Sequence, residues 1–370
     1  MIFLCEKDKL FEAVSTVIKA VSVKSPMPIL EGILISTDED RIILTTNNLD
    51  TGIECIVPAT VQENGSAVLG DAKVFLEIIR KLPNDIISVD VKEDLKTTIK
   101  CQKSIYNILA LGPEQFPELP IIKETASLTI PSNTLKKMIR QTSYAVSTRP
   151  DKITLTGSLF EIEGDTLTVV SLDGFRMALK KEKINAGGNE KFIISGKTLS
   201  DVSKIIRDDD TPVTLKITDK YVMFEFENTK VLSRLIEGEY FNYKAIIPKD
   251  FKILTHLQLS DILTCVERTD PIVSVDIIKN PIKLTIENNI LSIDCVTSTG
   301  KVHDVLEIEP CEEKIEIGFN QRYLHEALAA CECDEILMQF NGNLNPCIIK
   351  PFEGDDFIFM VLPVKINSEE

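Results

Sequence analysis

The chain lacks the features on which most catalytic sites and membrane segments depend. Its 370 residues include only three histidines, His256, His303 and His325. None stands near an obvious catalytic partner, which argues against a Ser/His or Cys/His nucleophile system. The chain has no phosphate-binding glycine loop, no dinucleotide fingerprint, no HExxH and no GxSxG. No apolar run approaches the roughly 20 residues that cross a bilayer. We therefore expect neither an enzyme nor a membrane protein.

Metal-binding and redox motifs are also missing. The nine cysteines are scattered, and the close pair Cys331 and Cys333 has a single residue between them, which is not zinc-ligand or CxxC spacing. The N-terminus has no signal-peptide pattern, so we expect a cytosolic protein with reduced thiols. The acidic run 208–210 follows a predicted helix and precedes Thr-Pro, which favours a solvated loop over a cation site. We expect no metal and no cofactor.

What the chain does contain is an internal repeat. Residues 152–182 predict a meander of three strands with tight turns at Gly164-Asp165 and Asp173-Gly174. Residues 28–57 and 280–309 follow the same pattern about 125 residues before and after, the latter with a predicted turn at Asn288-Asn289. This spacing indicates one structural unit used three times.

Helices predicted from apolar periodicity recur in the same frame. A first helix is predicted near residues 10–21, 135–146 and from 260 onward, and a second at 72–82, 196–207 and 320–331. The sequence thus predicts an α+β chain of three repeated domains, each with two helices and about eight strands. The predicted domains are residues 1–124, 125–248 and 249–370. Three unrelated α+β domains are the alternative.

Cations recur on the predicted second helices although the net charge is −16. Lys73, Lys197 and Arg322 fall at equivalent positions, each with an acid four residues further on. Repeated cations in an acidic chain favour a basic concave face that contacts a polyanionic backbone. A solvated helix face is the alternative. The predicted nucleic-acid-facing residues are Lys24, Lys73, Arg80, Lys136, Arg140, Lys197, Lys204 and Arg322.

Three stretches, together with the repeat, resemble a known family. These are the turn 173–178 (Asp-Gly-Phe-Arg-Met-Ala), residues 317–323 (Ile-Gly-Phe-Asn-Gln-Arg-Tyr) and the ending 361–366 (Val-Leu-Pro-Val-Lys-Ile). Their order and spacing resemble the bacterial DNA polymerase III beta subunit, the sliding clamp, over essentially the whole chain. The resemblance implies a DNA-clamp fold in a head-to-tail homodimer. Helices would line a central channel around duplex DNA, with antiparallel sheets outside, and the ring would be a non-catalytic processivity factor.

The resemblance also implies a partner-peptide pocket between domains two and three, which receives short linear motifs through apolar anchors. Carried over by position, its residues are Lys152, Thr154, Leu155, Leu172, Gly174, Phe175, Arg176, Met177, Ile246, Asn320, Tyr323, Pro346, Met360, Val361, Leu362, Pro363 and Val364. The chain departs from the family pattern at Leu172, where threonine is common, and at Phe175, where histidine or tyrosine is usual. Lys365 replaces an arginine and loses its bidentate fork, and residues 367–370 run past the usual end.

Ring closure in the family continues a sheet between edge strands of domains one and three. Here it would bring Tyr106 and Ile108 against Ile272 and Val273. The implied partners are double-stranded DNA held without sequence preference, the DNA polymerase III catalytic subunit, the clamp loader and other proteins with clamp-binding motifs. The implied location is the cytoplasm, at the nucleoid.

Two other hypotheses remain open at this stage. An α+β metabolic enzyme would need paired carboxylates or a histidine in a cleft. An acidic scaffold that binds only peptides would lack the correspondence of Lys73, Lys197 and Arg322.

Overall fold

The computed structural model describes residues 1–22, 25–184, 187–274 and 281–366, except for the side chain of Glu312. The helices are α1 (Lys7–Val17), α2 (Ala72–Lys81), α3 (Ser132–Ser143), α4 (Gly196–Ile205), α5 (Leu259–Glu267), α6 (Asp270–Val273) and α7 (Gln321–Ala329). Compactness divides the chain into two units, residues 1–133 with 201–235 and residues 134–200 with 236–370. Each unit is described by itself.

The strands are short and numerous. They are β1 (Ile2–Glu6), β2 (Ile33–Asp38), β3 (Arg41–Asn47), β4 (Thr51–Pro58), β5 (Thr60–Glu63), β6 (Ser66–Leu69), β7 (Ile86–Val91), β8 (Lys96–Cys101), β9 (Ser104–Leu111), β10 (Ala126–Pro131), β11 (Gly157–Glu163), β12 (Thr166–Leu172), β13 (Arg176–Lys183), β14 (Asn189–Ser195), β15 (Pro212–Ile217), β16 (Tyr221–Phe226), β17 (Thr229–Arg234), β18 (Ile253–Gln258), β19 (Ile282–Val296), β20 (Lys301–Phe319), β21 (Glu335–Phe340), β22 (Cys347–Pro351) and β23 (Phe357–Val361).

The first unit is built on a thirteen-stranded sheet in the order β10-β15-β16-β17-β4-β3-β2-β6-β9-β8-β7-β1-β5. Its strands alternate between core and solvent, as in β16, where Val222, Phe224 and Phe226 are buried and the residues between them are partly exposed. One face of the sheet therefore carries the apolar core. Strands β4 and β17 pair antiparallel, which joins the first repeat to the last strand of the second in one sheet.

The second unit contains an eight-stranded sheet in the order β14-β11-β12-β13-β23-β22-β21-β18 and the long hairpin of β19 and β20. Strands β13 and β23 pair from Arg176 opposite Val361 to Lys180 opposite Phe357. This is the same kind of junction as β4 with β17, now between the second and third repeats. A large buried cluster under α5 and α7 supports it.

The predicted repeat is confirmed by the order of the elements. Each copy has a strand followed by a first helix (α1, α3 or α5), then a meander, then a second helix (α2, α4 or α7) and the closing strands. The turns of the middle meander lie where we predicted them, with left-handed glycines at Gly164 (φ 62°) and Gly174 (φ 90°). Both positions favour glycine because a side chain is strained at such φ values.

Two predictions of local structure were wrong. Asn288 does not lie in a turn between two strands, because β19 runs through it, although the pairing register shifts there and its φ is 57°. Ile272 and Val273 lie in α6 and not in an edge strand. Pro271 explains the helix, since proline has no N–H to donate and its fixed φ suits a first helical turn.

The acidic run 208–210 is a loop, as predicted. Asp209 accepts hydrogen bonds from Ser132 Oγ (3.1 Å) and the backbone N–H of Thr211 (2.9 Å), while Asp210 accepts one from Asn133 (2.8 Å). These acids hold the loop to the start of α3. In the described part of the chain no cluster of three or more potential ligands could hold a metal ion. No helix described is long and apolar enough to span a membrane.

Candidate functional site

The turn between β12 and β13 is the centre of the candidate site. Asp173 Oδ1 accepts hydrogen bonds from the backbone N–H groups of Phe175 (2.8 Å) and Arg176 (3.0 Å). Gly174 supplies the left-handed residue that such a turn needs. The N–H of Leu362 then donates to the carbonyl of Phe175 at 2.8 Å. The turn is thus fixed at one end by its own side chain and at the other by the chain segment after β23.

Arg176 stabilises this turn through ion pairs and ring contacts. Its side chain is 7% exposed, and its Nε donates to Asp173 Oδ2 at 3.1 Å while Nη1 donates to Glu326 Oε2. The guanidinium also lies over the rings of Tyr323 (4.5 Å to the centroid) and Tyr144 (5.3 Å). A buried guanidinium needs such paired carboxylates and ring faces to offset its lost hydration. Arg176 therefore shapes the site, and little of it is available to a ligand.

An aromatic stack forms the exposed side of the turn. The rings of Phe175 and Tyr323 lie 6.0 Å apart between centroids at 29°, and Arg149 covers the Phe175 ring at 5.1 Å. Phe175 is 39% exposed. Tyr323 is fixed near the start of α7, where Asn320 caps the helix by accepting from the Tyr323 N–H at 3.2 Å. An exposed phenyl ring between a cation and a tyrosine is a ready contact for an apolar peptide side chain.

Beside the turn lies an apolar cluster. Leu155, Leu172 and Met360 keep 4–6% of their surface exposed, and Ile246 packs against them only partly buried. Aliphatic walls with a little remaining exposure suit peptide anchors such as leucine or phenylalanine. The structure thus brings together these four predicted pocket residues.

Two predicted pocket residues lie deeper than we expected. Met177 and Val361 have no exposed surface, so they belong to the core and cannot line an open pocket. They lie on opposite faces of the paired strands β13 and β23, and a different buried cluster packs against each face. Of the remaining predicted residues, Lys152, Gly174 and Val364 are exposed, and Thr154, Pro346, Leu362 and Pro363 are partly buried.

Arg149, Tyr144 and Glu326 were not among the site residues predicted from the sequence. No local pattern marks Arg149 or Tyr144. A signal did exist for Glu326, which stands four residues after Arg322 and accepts from its Nε at 2.8 Å. That spacing puts both residues on one helix face.

The predicted nucleic-acid-facing cations divide into two groups. Lys73, Lys197 and Lys204 are exposed on α2 and α4. The arginines Arg80, Arg140 and Arg322 instead pair with Glu77 (2.5 Å), Glu332 and Glu326, respectively. Lys136 is partly buried, and Lys24 lies outside the described residues. Neighbouring acids therefore screen all three arginines, which fits loose contact with a polyanion better than a tight site.

Strand β9 presents an incompletely paired edge. It pairs with β8 along its length but with β6 only through Ala110 and Leu111. Ile105 and Leu109 are 59% and 71% exposed. Next to this edge is a groove of about 360 Å³ lined by Lys73, Val74, Glu77, Ile78, Lys81 and Tyr106. An open apolar edge of this kind is a template for another strand.

Comparison with known proteins agrees with this geometry. Family models described as the N-terminal, central and C-terminal domains of the DNA polymerase III beta subunit match residues 1–120, 129–242 and 244–365. The beta sliding clamps of Halalkalibacterium halodurans and Bacillus subtilis are each 32% identical to this chain, over 99% of it and 100% of their own length.

Solved structures agree as well. A putative DNA polymerase III beta subunit from Eubacterium rectale superposes with a TM-score of 0.95 at 35% identity, covering 99% of this chain and 100% of that one. The Bacillus subtilis sliding clamp superposes with a TM-score of 0.95 at 31% identity, covering 99% of both chains.

Proposed function

Since this chain belongs to the family of the DNA polymerase III beta subunit, the beta sliding clamps, we propose that it forms a homodimeric ring around duplex DNA and recruits partners through the site at Phe175. Membership in the family makes the protein a sliding clamp for DNA polymerase III and a processivity factor without catalytic activity. The ring, the orientation of its helices and the peptide site are our proposal.

The repeated strand pairing is the observation that supports the proposed dimer. Strand β4 of the first copy pairs with β17, the last strand of the second, and β13 of the second pairs with β23, the last strand of the third. The equivalent strand of the third copy is the start of β20, and the last strand of the first copy is β9. In the described residues the start of β20 pairs only with β19. The series is completed when β20 of one protomer pairs with β9 of another.

This pairing revises the interface that the resemblance implied. The repeat offset places roughly residues 301–305 of β20 opposite residues 104–108 of β9. Tyr106 and Ile108 thus keep their place at the interface. Ile272 and Val273, which are helical, cannot supply the strand; as partly buried apolar residues they could still pack beside it. Two such pairings, related by a twofold axis, close a head-to-tail ring.

A ring explains the electrostatics better than a tight binding site does. A closed ring retains DNA topologically, so it needs few strong phosphate contacts, and a net charge of −16 is tolerable when the cations face the channel. Lys73, Lys197 and Lys204 would supply the loose contacts. Lys73 also lines the groove beside β9, so its contribution would be shared between DNA and the interface.

The peptide site would receive the DNA polymerase III catalytic subunit, the clamp loader and other proteins that carry clamp-binding motifs. Leu155, Leu172 and Met360 would accept apolar anchors, and Phe175 would contact one of them at the rim. This use of aliphatic walls around an extended peptide is a common recognition mode. We place this activity in the cytoplasm, at the nucleoid.

Retention on circular DNA tests the ring. The purified protein is loaded by its clamp loader onto a nicked plasmid, and the protein that co-elutes with DNA on gel filtration is measured before and after the plasmid is cut once. We expect the protein to stay on the circle and to leave the linear form within minutes. Equal retention on both forms would rule out topological binding, and sedimentation as a monomer at micromolar concentration would rule out the dimer.

A further inference from the structure

One carboxylate, Glu326 on α7, lies between the peptide site and Arg322, a solvent-facing cation of the same helix. Glu326 Oε2 accepts from Nη1 of Arg176, the arginine that holds the turn before β13, and Oε1 accepts from Nε of Arg322 at 2.8 Å. Glu326 itself is 25% exposed and Arg176 only 7%. The two oxygens of Glu326 therefore accept hydrogen bonds from two different cations, Arg176, which is buried in the site, and Arg322, which is exposed to solvent.

The arrangement follows from the spacing on α7. Arg322 and Tyr323 stand four and three residues before Glu326, and residues at both spacings are neighbours on a helix, so Glu326 lies beside each of them. Tyr323 stacks on Phe175 and lies under Arg176, so the same short helical segment carries the ring, the acid and the solvent-facing cation. A substitution of Glu326 therefore affects both the peptide site and the charge that Arg322 presents to solvent.

Electrostatics supports this double role. Burial raises the pKa of the Glu326 carboxyl, but hydrogen bonds from Arg176 and Arg322 outweigh it, so the pKa is lowered overall. The carboxylate is therefore charged at neutral pH. It holds Arg176 in place and at the same time neutralises much of the charge that Arg322 shows to the solvent.

We propose that Glu326 is a positioning residue shared by the two binding functions: it orients Arg176, and thereby the peptide-contacting turn at Phe175, while it masks Arg322 from DNA. This inference rests on the proposed function, because it needs both a peptide site at Phe175 and DNA near Arg322. Its consequence is that one neutral substitution shifts the two affinities in opposite directions.

A matched control exists at Glu332, which follows α7. Glu332 pairs with two cations of α3, Arg140 and Lys137 (3.3 Å), so it also masks Arg140, a predicted DNA-facing residue. Among the described residues, the ion pairs of Glu332 do not include Arg176. Glu332→Gln therefore isolates the masking effect from the positioning effect.

The test measures two affinities for the full-length dimer. Peptide binding is followed by fluorescence anisotropy with a labelled pentapeptide that carries leucine and phenylalanine anchors, and DNA binding with a labelled 30-base-pair duplex across a salt series. For Glu326→Gln we expect a three- to tenfold loss of peptide affinity and a two- to threefold gain of DNA affinity. The salt dependence should steepen by up to about one phosphate equivalent for each protomer.

Controls separate the two effects. Glu332→Gln is expected to raise DNA affinity and leave peptide affinity within a factor of two. The double variant Glu326→Gln with Arg322→Gln should keep the peptide loss and lose the DNA gain. If Glu326→Gln does not fold, Glu326→Asp replaces it. That variant keeps the charge but is one methylene too short for Arg176, so we expect a two- to threefold peptide loss with unchanged DNA binding.

The outcomes distinguish this inference from the proposed function. If the parent protein does not bind the peptide, or is not retained on nicked circular DNA, the proposed function fails. If the parent binds both and Glu326→Gln leaves peptide affinity unchanged, or lowers both affinities together, the shared role of Glu326 is wrong.

Discussion

The turn before β4 and the turn before β13 occupy the same place in the first two copies of the repeat, and they share a backbone design. In the first, Asn48 Oδ1 accepts from the N–H groups of Asp50 (3.1 Å) and Thr51 (2.8 Å). In the second, Asp173 Oδ1 accepts from the N–H groups of Phe175 and Arg176. Each turn has one left-handed residue, Leu49 (φ 76°) or Gly174 (φ 90°).

What differs is the chemistry attached to that backbone. The first turn has an asparagine and is followed by Thr51, whereas the second has an aspartate and is followed by a buried arginine that reaches Glu326. The first exposes Leu49 (58%), and the second exposes Phe175 (39%) within an aromatic and cationic stack. The repeat therefore supplies the same hydrogen-bonded turn at two sheet junctions, and a few added charges and rings make one of these turns a candidate binding site.

The largest expected effect comes from removing the arginine. Arg176→Ala leaves the carboxylates of Asp173 and Glu326 without their shared cation, and we expect it to destabilise the second unit by about 2–4 kcal/mol. Asn48→Ala in the first turn removes only neutral hydrogen bonds and should cost about 1 kcal/mol. Urea denaturation at pH 7 followed by circular dichroism measures both. Equal losses for the two variants would mean that the ion pairs add nothing to the second turn.

A second difference between the copies lies in their sheets. Glu161 in β11 is 2% exposed and contacts Lys191, Lys244 and Tyr243, while the equivalent position in the first copy is Ser36. Burial by itself raises the pKa of Glu161, but hydrogen bonds from these three residues lower it from 4.5 to about 2. Because the folded-state pKa is depressed, this contribution to stability is present above about pH 4.5 and is lost as the pH falls towards 2.

We therefore expect Glu161→Gln to lose about 2 kcal/mol at pH 7 and almost nothing at pH 2. Denaturation of the parent and the variant at pH 7, 4 and 2 measures how the two stabilities converge. A constant difference between them at all three values would show that the charge of Glu161 is not the cause.

Much of the fold was predictable because its signals are local. Glycine marks the turn at Gly164, where the backbone is left-handed, and the apolar period of the helices can be read from the residues. The repeat spacing of about 125 residues is visible in the same way. The pairing of β4 with β17 and of β13 with β23 could not be predicted, since any edge strand with an apolar face could have been the pairing partner. The helix at Ile272 was missed because the family pattern suggested a strand and outweighed the signal from Pro271.

The candidate site was only partly predictable, for a related reason. Leu155, Leu172 and Met360 were found by position in the family pattern, and they do pack together. Glu326, one of the two acids that pair with Arg176, lies 150 residues away in the sequence, so no local pattern connects these two residues. The exposure of individual pocket residues could not be predicted either, because alternation along β13 and β23 does not show which face a neighbouring domain covers. Met177 and Val361 were therefore predicted to line the pocket, although both belong to the core.

A third prediction concerns the two exposed side chains. Phe175→Ala removes a ring that stacks on Tyr323 and under Arg149, and we expect peptide affinity to fall about five- to tenfold, as for truncation of an aromatic contact. Leu49→Ala removes an exposed side chain from the equivalent turn and should change peptide affinity by less than twofold. Anisotropy titration with the same labelled pentapeptide measures both. A similar loss in both variants would remove the assignment of the site to the second turn.

The smallest effects come from exchanging the left-handed residues. Gly174→Ala places a side chain at φ 90°, where nothing crowds it but the backbone is strained, so we expect a loss of about 1 kcal/mol. Leu49→Gly relieves the same kind of strain at φ 76°, and the greater freedom of glycine in the unfolded chain offsets part of that gain, which leaves at most about 1 kcal/mol of stabilisation. Thermal unfolding of each variant measures whether its stability falls or rises relative to the parent. Changes of the same sign would show that the turns, despite their matching hydrogen bonds, do not store strain in the same way.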